Sequence, residues 1–101
     1  MTIEKGMEII NNTIIFLKQK GVRDTFYILT QCENYKAELK AFYKELRNFS
    51  YYNSFYRVKD ALIKKGLIAL RTYNRKKFIS LTETGIKIYE KLIELDELIR
   101  R

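Results

Sequence analysis

Between residues 67 and 81 the chain leaves helical periodicity for strand periodicity and then returns to it. That one interruption limits the folds open to the chain. Leu67-Ile68-Ala69-Leu70-Arg71-Thr72 and Lys77-Phe78-Ile79-Ser80-Leu81 are short apolar β-type runs, and the polar Tyr73-Asn74-Arg75-Lys76 joins them. Two such runs about a polar connection predict a hairpin.

Helical patterns lie on both sides. A first helix is expected from about Thr2 to Lys20, with Gly21 as its C′ residue. Ile3, Met7, Ile10, Ile14 and Leu17 alternate by four and three residues, an a/d seam that Ile9 and Phe16 widen. A second helix reads from an Asp24 N-cap to Glu33, with Phe26, Leu29 and Cys32 inward and Asn34 closing it. Tyr35-Lys36 suits a brief edge strand. A third helix, about Ala37 to Arg47, sets Leu39, Phe42 and Leu46 on one face. Asn48-Phe49-Ser50 then reads as a tight turn, and Ser50 as the N-cap of a fourth helix, Tyr51 to Lys65, ending at Gly66. Phe55, Val58 and Leu62 are its inner stripe. Thr82 is the expected N-cap of a last helix, Glu83 to Arg101, whose Ile88, Leu92, Leu95 and Ile99 again step by four and three. The fold class is mainly α with a small β-hairpin, in one domain spanning residues 1–101.

With 101 residues, 47% of them apolar, one core is affordable and a second is not. No apolar run approaches the roughly 20 residues of a membrane span. The first residues lack the basic and apolar regions of a secretory signal. An intracellular, cytoplasmic protein is expected, in the host cytoplasm if viral. The composition, without Pro, His or Trp and rich in Lys, Ile, Tyr, Glu and Leu, suits an AT-rich coding sequence of a thermophile or one of its viruses. With a single cysteine and no histidine, neither an internal disulfide nor a zinc site can form. Cys32 is expected as a small core residue, the alternative being a bridge between two copies. No cofactor is expected. Catalysis is not expected either, for want of a histidine, a cysteine–base pair or a phosphate-cradling glycine loop.

The net charge is +8, and its placement says more than its size. Residues 51–82 hold eight basic residues and one acidic, an excess of +7. Residues 1–22 and 23–50 each carry +1, and residues 83–101 carry −1. A polyanion-binding face gathers charge in this way, whereas a merely solvated surface spreads it.

Residues 37–85 carry a family resemblance. The segment Ala37 to Arg47, the Asn48-Phe49-Ser50 turn and the run Phe55 to Ile68 look like a helix-turn-helix leading into a first wing strand. Phe78-Ile79-Ser80-Leu81-Thr82-Glu83-Thr84-Gly85 looks like the second wing strand and the leucine–threonine–x–x–glycine lead-in to the next helix. Together they resemble winged helix-turn-helix regulators of the MarR and PadR type and the small winged-helix proteins of archaea and their viruses. The resemblance implies an N-terminal helix at 1–20, a helix-turn-helix at 37–65, a wing at 67–82 and a C-terminal helix at 83–101. It also implies a transcriptional regulator that binds double-stranded DNA.

The residues support the same chemistry. A helix fits the major groove and reads bases from its N-terminal end. Tyr52, Asn53, Ser54, Tyr56 and Arg57 are left outward once Phe55, Val58 and Leu62 face the core. Arg57 suits guanine O6 and N7, and Asn53 suits adenine N6 and N7, at about 1–3 kcal/mol of discrimination each. Tyrosine hydroxyls suit phosphate. At the wing, Arg71, Tyr73, Asn74, Arg75, Lys76 and Lys77 suit a phosphate backbone or the adjacent minor groove. An edge guarded against aggregation is the plainer use of such charges. Lys36, Lys40 and Lys44, interleaved with Glu38 and Glu45, read as a solvated face.

In related winged helices the terminal helices pack against a second subunit. Ile3, Met7, Ile10, Ile14, Leu17, Ile88, Leu92, Leu95 and Ile99 are thus the expected homodimer interface. The alternative is that both helices fold back on their own domain. Double-stranded DNA and a second copy are the expected partners, with no membrane, and no polar constellation marks a small-molecule effector. An RNA- or protein-binding winged helix and a sequence-tolerant architectural DNA binder are the competing functions.

Overall fold

The structure is a computed structural model and describes residues 3–49 and 52–101. Five helices and three short strands follow in the order α1 (Ile3–Lys18), α2 (Lys20–Thr30), β1 (Lys36–Glu38), α3 (Leu39–Phe49), α4 (Tyr52–Lys64), β2 (Ile68–Tyr73), β3 (Lys76–Leu81) and α5 (Glu83–Ile99). The fold is mainly helical with a small antiparallel sheet ordered β1-β3-β2. Ala37 pairs with Ile79, and Leu70 pairs with Ile79 from the other side. Among the described residues no helix is long and apolar enough to cross a membrane.

The first helical boundary differs from expectation. Helix α1 ends at Lys18, and Gln19, in extended backbone, starts α2 at once. Gly21 is therefore no C′ residue but lies in the first turn of α2. A Cβ built on it would stand 2.1 Å from the Ser54 carbonyl oxygen and 2.8 Å from a Val58 methyl. Glycine is there because α2 and α4 cross in contact, backbone against backbone. Asp24 is likewise no N-cap. It is buried within α2, its carboxylate 3.3 Å from the Lys20 ammonium one turn earlier. Helix α2 stops at Thr30, so Cys32 follows the helix instead of riding on it; its Sγ–H donates to the Ile28 carbonyl at 3.2 Å. Asn34 and Tyr35 then reverse the chain with left-handed φ of 56° and 55°.

The expected edge strand is present one residue on, as β1, and α3 begins at Leu39 rather than Ala37. Asn48 and Phe49, expected in a turn, complete α3. Ser50 as N-cap and Tyr51 as first helical residue lie outside the described residues.

The end of α4 follows the sequence closely. Gly66, with φ of 72°, donates to the Ile63 carbonyl, and Leu67 donates to the Leu62 carbonyl, both at 2.9 Å. This is a Schellman closure, with Leu62 and Leu67 both in the core. Leu67 then meets the start of α5. Its carbonyl accepts the Thr82 N–H at 3.0 Å and lies 2.3 Å from where a Gly85 Cβ would be. The Thr82 hydroxyl donates to the Gly66 carbonyl and accepts the Gly85 N–H at 3.1 Å, capping α5 as expected.

One core results. Val22, Phe26 and Leu29 from α2 meet Phe42 and Leu46 of α3, the stripe Phe55, Val58 and Leu62 of α4, and Ile68, Ile79 and Leu81 at the sheet base. Phe42 and Phe55 pack edge to face at 4.9 Å between ring centres. Helix α1 contributes no fully buried residue; only Phe16 and Leu17, near its end, pack against the core. The Gly21→Ala variant should lose about 1–3 kcal/mol of unfolding free energy, read from its urea midpoint, because the α2–α4 crossing must open. A midpoint equal to the native one would show that the two backbones do not touch.

Candidate nucleic-acid interface

Two elements carry the cations of residues 51–82 into solvent. The outward face of α4 presents Asn53, Tyr56 and Arg57, all exposed. Tyr52 opens α4, but its side chain lies outside the described structure. Ser54, expected outward, is half-buried, because its turn of α4 meets α2 at Gly21. It is the one described residue of the expected recognition set that this crossing withdraws.

The hairpin places the other group. Its base is buried through Ile68, Ile79 and Leu81, whereas Arg71, Tyr73, Asn74, Arg75, Lys76 and Lys77 are all exposed. Tyr73 pairs with Lys76, which leaves Asn74 and Arg75 as a two-residue turn. Both have left-handed φ, 49° and 67°. The right-handed twist of the strands demands such a turn, and its second position favours glycine. Arginine stands there instead, at a backbone cost of about 1–2 kcal/mol.

Helix α3 joins the two groups, which the sequence reading did not anticipate. Glu38, Leu39, Lys40 and Tyr43 line a hollow of about 400 Å³ together with Arg75, Lys76 and Lys77. From that hollow Tyr43 reaches α4: its ring stacks on Tyr56 at 6.1 Å between centres and meets Phe55 edge-on at 6.0 Å. The Lys59 ammonium lies 5.7 Å from the centre of the Tyr56 ring. Hairpin tip, α3 and the outer face of α4 are thus linked through one aromatic pair. Lys40, read from sequence as part of a solvated face, belongs to this hollow. The usable signal was Tyr43, which sits beside Phe42 on a helix whose apolar stripe did not need it.

Among the described residues, the arginines and lysines of the hairpin tip form no ion pair within 4 Å. Ion pairs among the described residues lie on α2 (Lys20–Asp24) and along α5 and its C-cap (Glu83–Lys87, Lys91–Glu94, Asp96–Arg100). Among the described residues, Arg57, Arg71, Arg75, Lys76 and Lys77 take part in none of them. Comparison with known proteins finds no matching family model, no matching curated protein and no matching solved structure. The surface is therefore read on its own chemistry.

Among the described residues no group of three His, Cys, Asp or Glu side chains is placed to hold a metal ion. Cys32 sits away from the cationic surface, in a hollow lined by Tyr27, Ile28, Gln31 and Glu45. Burial, and secondarily the Glu45 carboxylate, push its thiol pKa above the ordinary value, which suits an unreactive packing residue.

The expected dimer residues divide in two. Leu17, Ile88 and Leu92 are half-buried, and together with Leu95 and the stems of Lys87 and Lys91 they line an apolar groove between α1 and α5. Ile3, Met7, Ile10, Ile14, Leu95 and Ile99 are exposed, Ile3 by 84% and Ile99 by 80%. The a/d seam of α1 is therefore not folded back onto its own core beyond Leu17.

Replacing Arg75 with glycine should stabilise the protein by up to about 1 kcal/mol, since the left-handed strain is relieved while some unfolded-state entropy is gained. A thermal melt should rise by a few degrees. A fall would mean that the turn does not hold Arg75 in that conformation.

Proposed function

We propose that this chain is a winged helix-turn-helix protein that binds double-stranded DNA as a homodimer and regulates transcription. The observation that carries the reading is the predominantly cationic surface that joins the exposed face of α4, through Tyr56 and Tyr43, to the hairpin tip. The order α2-β1-α3-α4-β2-β3 with sheet order β1-β3-β2 supports it: α3 and α4 take the places of the helix-turn-helix, and β2–β3 that of the wing. Helix α4 enters the major groove, with Arg57 and Asn53 at base edges. The tip, Arg75–Lys77, follows the backbone beside it, and Tyr56 adds its hydroxyl to phosphate.

Strain at the tip favours a binding role over simple protection of a sheet edge. Lysine on a strand guards an edge without backbone cost. An arginine forced into the left-handed region is retained where its charge is needed at the extreme of the hairpin.

The second subunit is supported by area. A compact monomer of 12.2 kDa exposes about 6,000 Å², and this chain exposes 8022 Å². Its extents of 50 × 29 × 25 Å describe an elongated body. The excess is about 2,000 Å². It falls in the range that one subunit of an obligate homodimer buries. The seams of α1 and α5 supply the apolar part of it, so each subunit covers the other's terminal helices.

Two measurements test the function and the assembly separately. With about five cations per subunit on phosphate, log K against log salt should slope near −9 for the dimer, measured by anisotropy on duplexes selected from a random pool. The selected sequences should be roughly palindromic, with half-sites about 34 Å apart. A slope near zero, or retention of structured RNA in preference to duplex DNA, would overturn the assignment. The double variant Ile14→Glu/Leu95→Glu, altered at positions exposed in the single chain, should sediment as a folded monomer and bind duplex far more weakly. A dimer that survives both charges would place the interface elsewhere.

A further inference from the structure

Glu38 stands in the hollow between α3 and the hairpin tip, where the duplex reading has no use for a carboxylate. It is the last residue of β1 and pairs in register with Phe78, next to Lys77 in sequence, so the sheet fixes its place. It lines the hollow with four cations, Lys40, Arg75, Lys76 and Lys77. Among the described residues none of the ion pairs within 4 Å involves Glu38 or any of those four. Its charge is therefore not consumed by one partner and lowers the potential of the whole hollow. Leu39 and the Tyr43 ring supply apolar walls, and a wall of low dielectric carries that field further than water does.

Resting on the duplex-binding reading above, we propose that this hollow seats the phosphate backbone of one DNA strand, and that Glu38 is a fixed electrostatic brake on the grip. Backbone contacts hold any sequence alike. A genome presents a vast excess of non-specific sites, so uniform affinity sequesters a regulator from its operator as surely as it helps binding there. A carboxylate anchored in the phosphate-holding hollow lowers that uniform component by the equivalent of about one neutralised phosphate. The other role open to a carboxylate on DNA is to accept from cytosine N4 in the major groove. Glu38 is half-buried on the strand that precedes α3, whereas the exposed candidates for base reading are on α4. Its place is beside the backbone.

The experiment compares the native protein with Glu38→Gln, which keeps shape and removes charge, on a selected operator and on random duplex across a salt series. The variant should bind both more tightly, by up to about eightfold per subunit at 0.1 M salt, with a slope steeper by about 0.9 per subunit. The operator-to-random ratio should stay unchanged. Lys40→Ala should weaken both duplexes equally. Native affinity with Glu38→Gln unchanged on both duplexes would overturn the brake while leaving duplex binding intact. A variant weakened on the operator alone would overturn it in favour of base reading. An unaltered Lys40→Ala would show that the strand does not enter the hollow. A native protein with no duplex affinity would overturn the duplex reading itself.

Discussion

The Leu67 carbonyl is the point on which the arrangement turns. It accepts the Thr82 N–H and lies where only a glycine at position 85 lets α5 approach. The Thr82 hydroxyl meanwhile ties the Gly66 carbonyl to the first turn of α5. These contacts bring the two ends of the hairpin together at the exit of α4. The base of β2 and β3 is thereby drawn into the core, while the residues from Thr72 to Lys77 are all exposed. The hairpin projects because its root is closed, and its direction is set by α4. At the opposite end of α4, the contact with Gly21 sets where that helix lies against α2. Two glycines thus fix the frame in which the cationic side chains stand, although neither belongs to the surface itself.

The hairpin, the Gly66 stop and the Thr82 cap were legible because each is a local decision. A left-handed glycine, a hydroxyl one turn before an amide and alternating apolar residues act within a few positions of themselves. Gly21 was misread for the same reason. Locally it ends a helix; in the fold it is a contact glycine, and only the partner element, α4, could reveal which. Asp24 failed similarly: a good cap by type, it is buried inside α2 beside Lys20. The hollow at α3 was invisible because it is built from residues 38–43 and 75–77, which nothing in sequence brings together. Tyr43 carries the lesson in one residue, for its neighbours in sequence say only that it is near the core, while its ring completes the bridge to Tyr56.

The molecule separates two kinds of unsatisfied surface along its chain. Acidic and basic residues meet one another on α5, at Glu83–Lys87, Lys91–Glu94 and Asp96–Arg100, and leave the apolar seam of that helix as its distinguishing face. From α4 through the hairpin the balance is reversed: the stripe Phe55, Val58 and Leu62 is spent in the core, and eight cations stand against Asp60 and, across the hollow, Glu38. Exposed ion pairs contribute little to stability, about 0–1 kcal/mol each. The pairing on α5 matters less for energy than for lowering the net charge beside an exposed apolar seam.

The same reasoning bears on why α1 is held only by its final turns. A 16-residue helix with no fully buried side chain gains little from its own domain, and isolated helices of that length are marginal in water. Its Ile3, Met7, Ile10 and Ile14 are costly to expose at about 25 cal/mol per Å² of apolar area. A seam of this kind is worth keeping where a second surface covers it. The exposed Ile9 and Ile15 widen the a/d seam, so the apolar face left to be covered is broad. On the homodimer proposed above, association would add stability to α1, while the core built from α2 to β3 stays folded in the single chain.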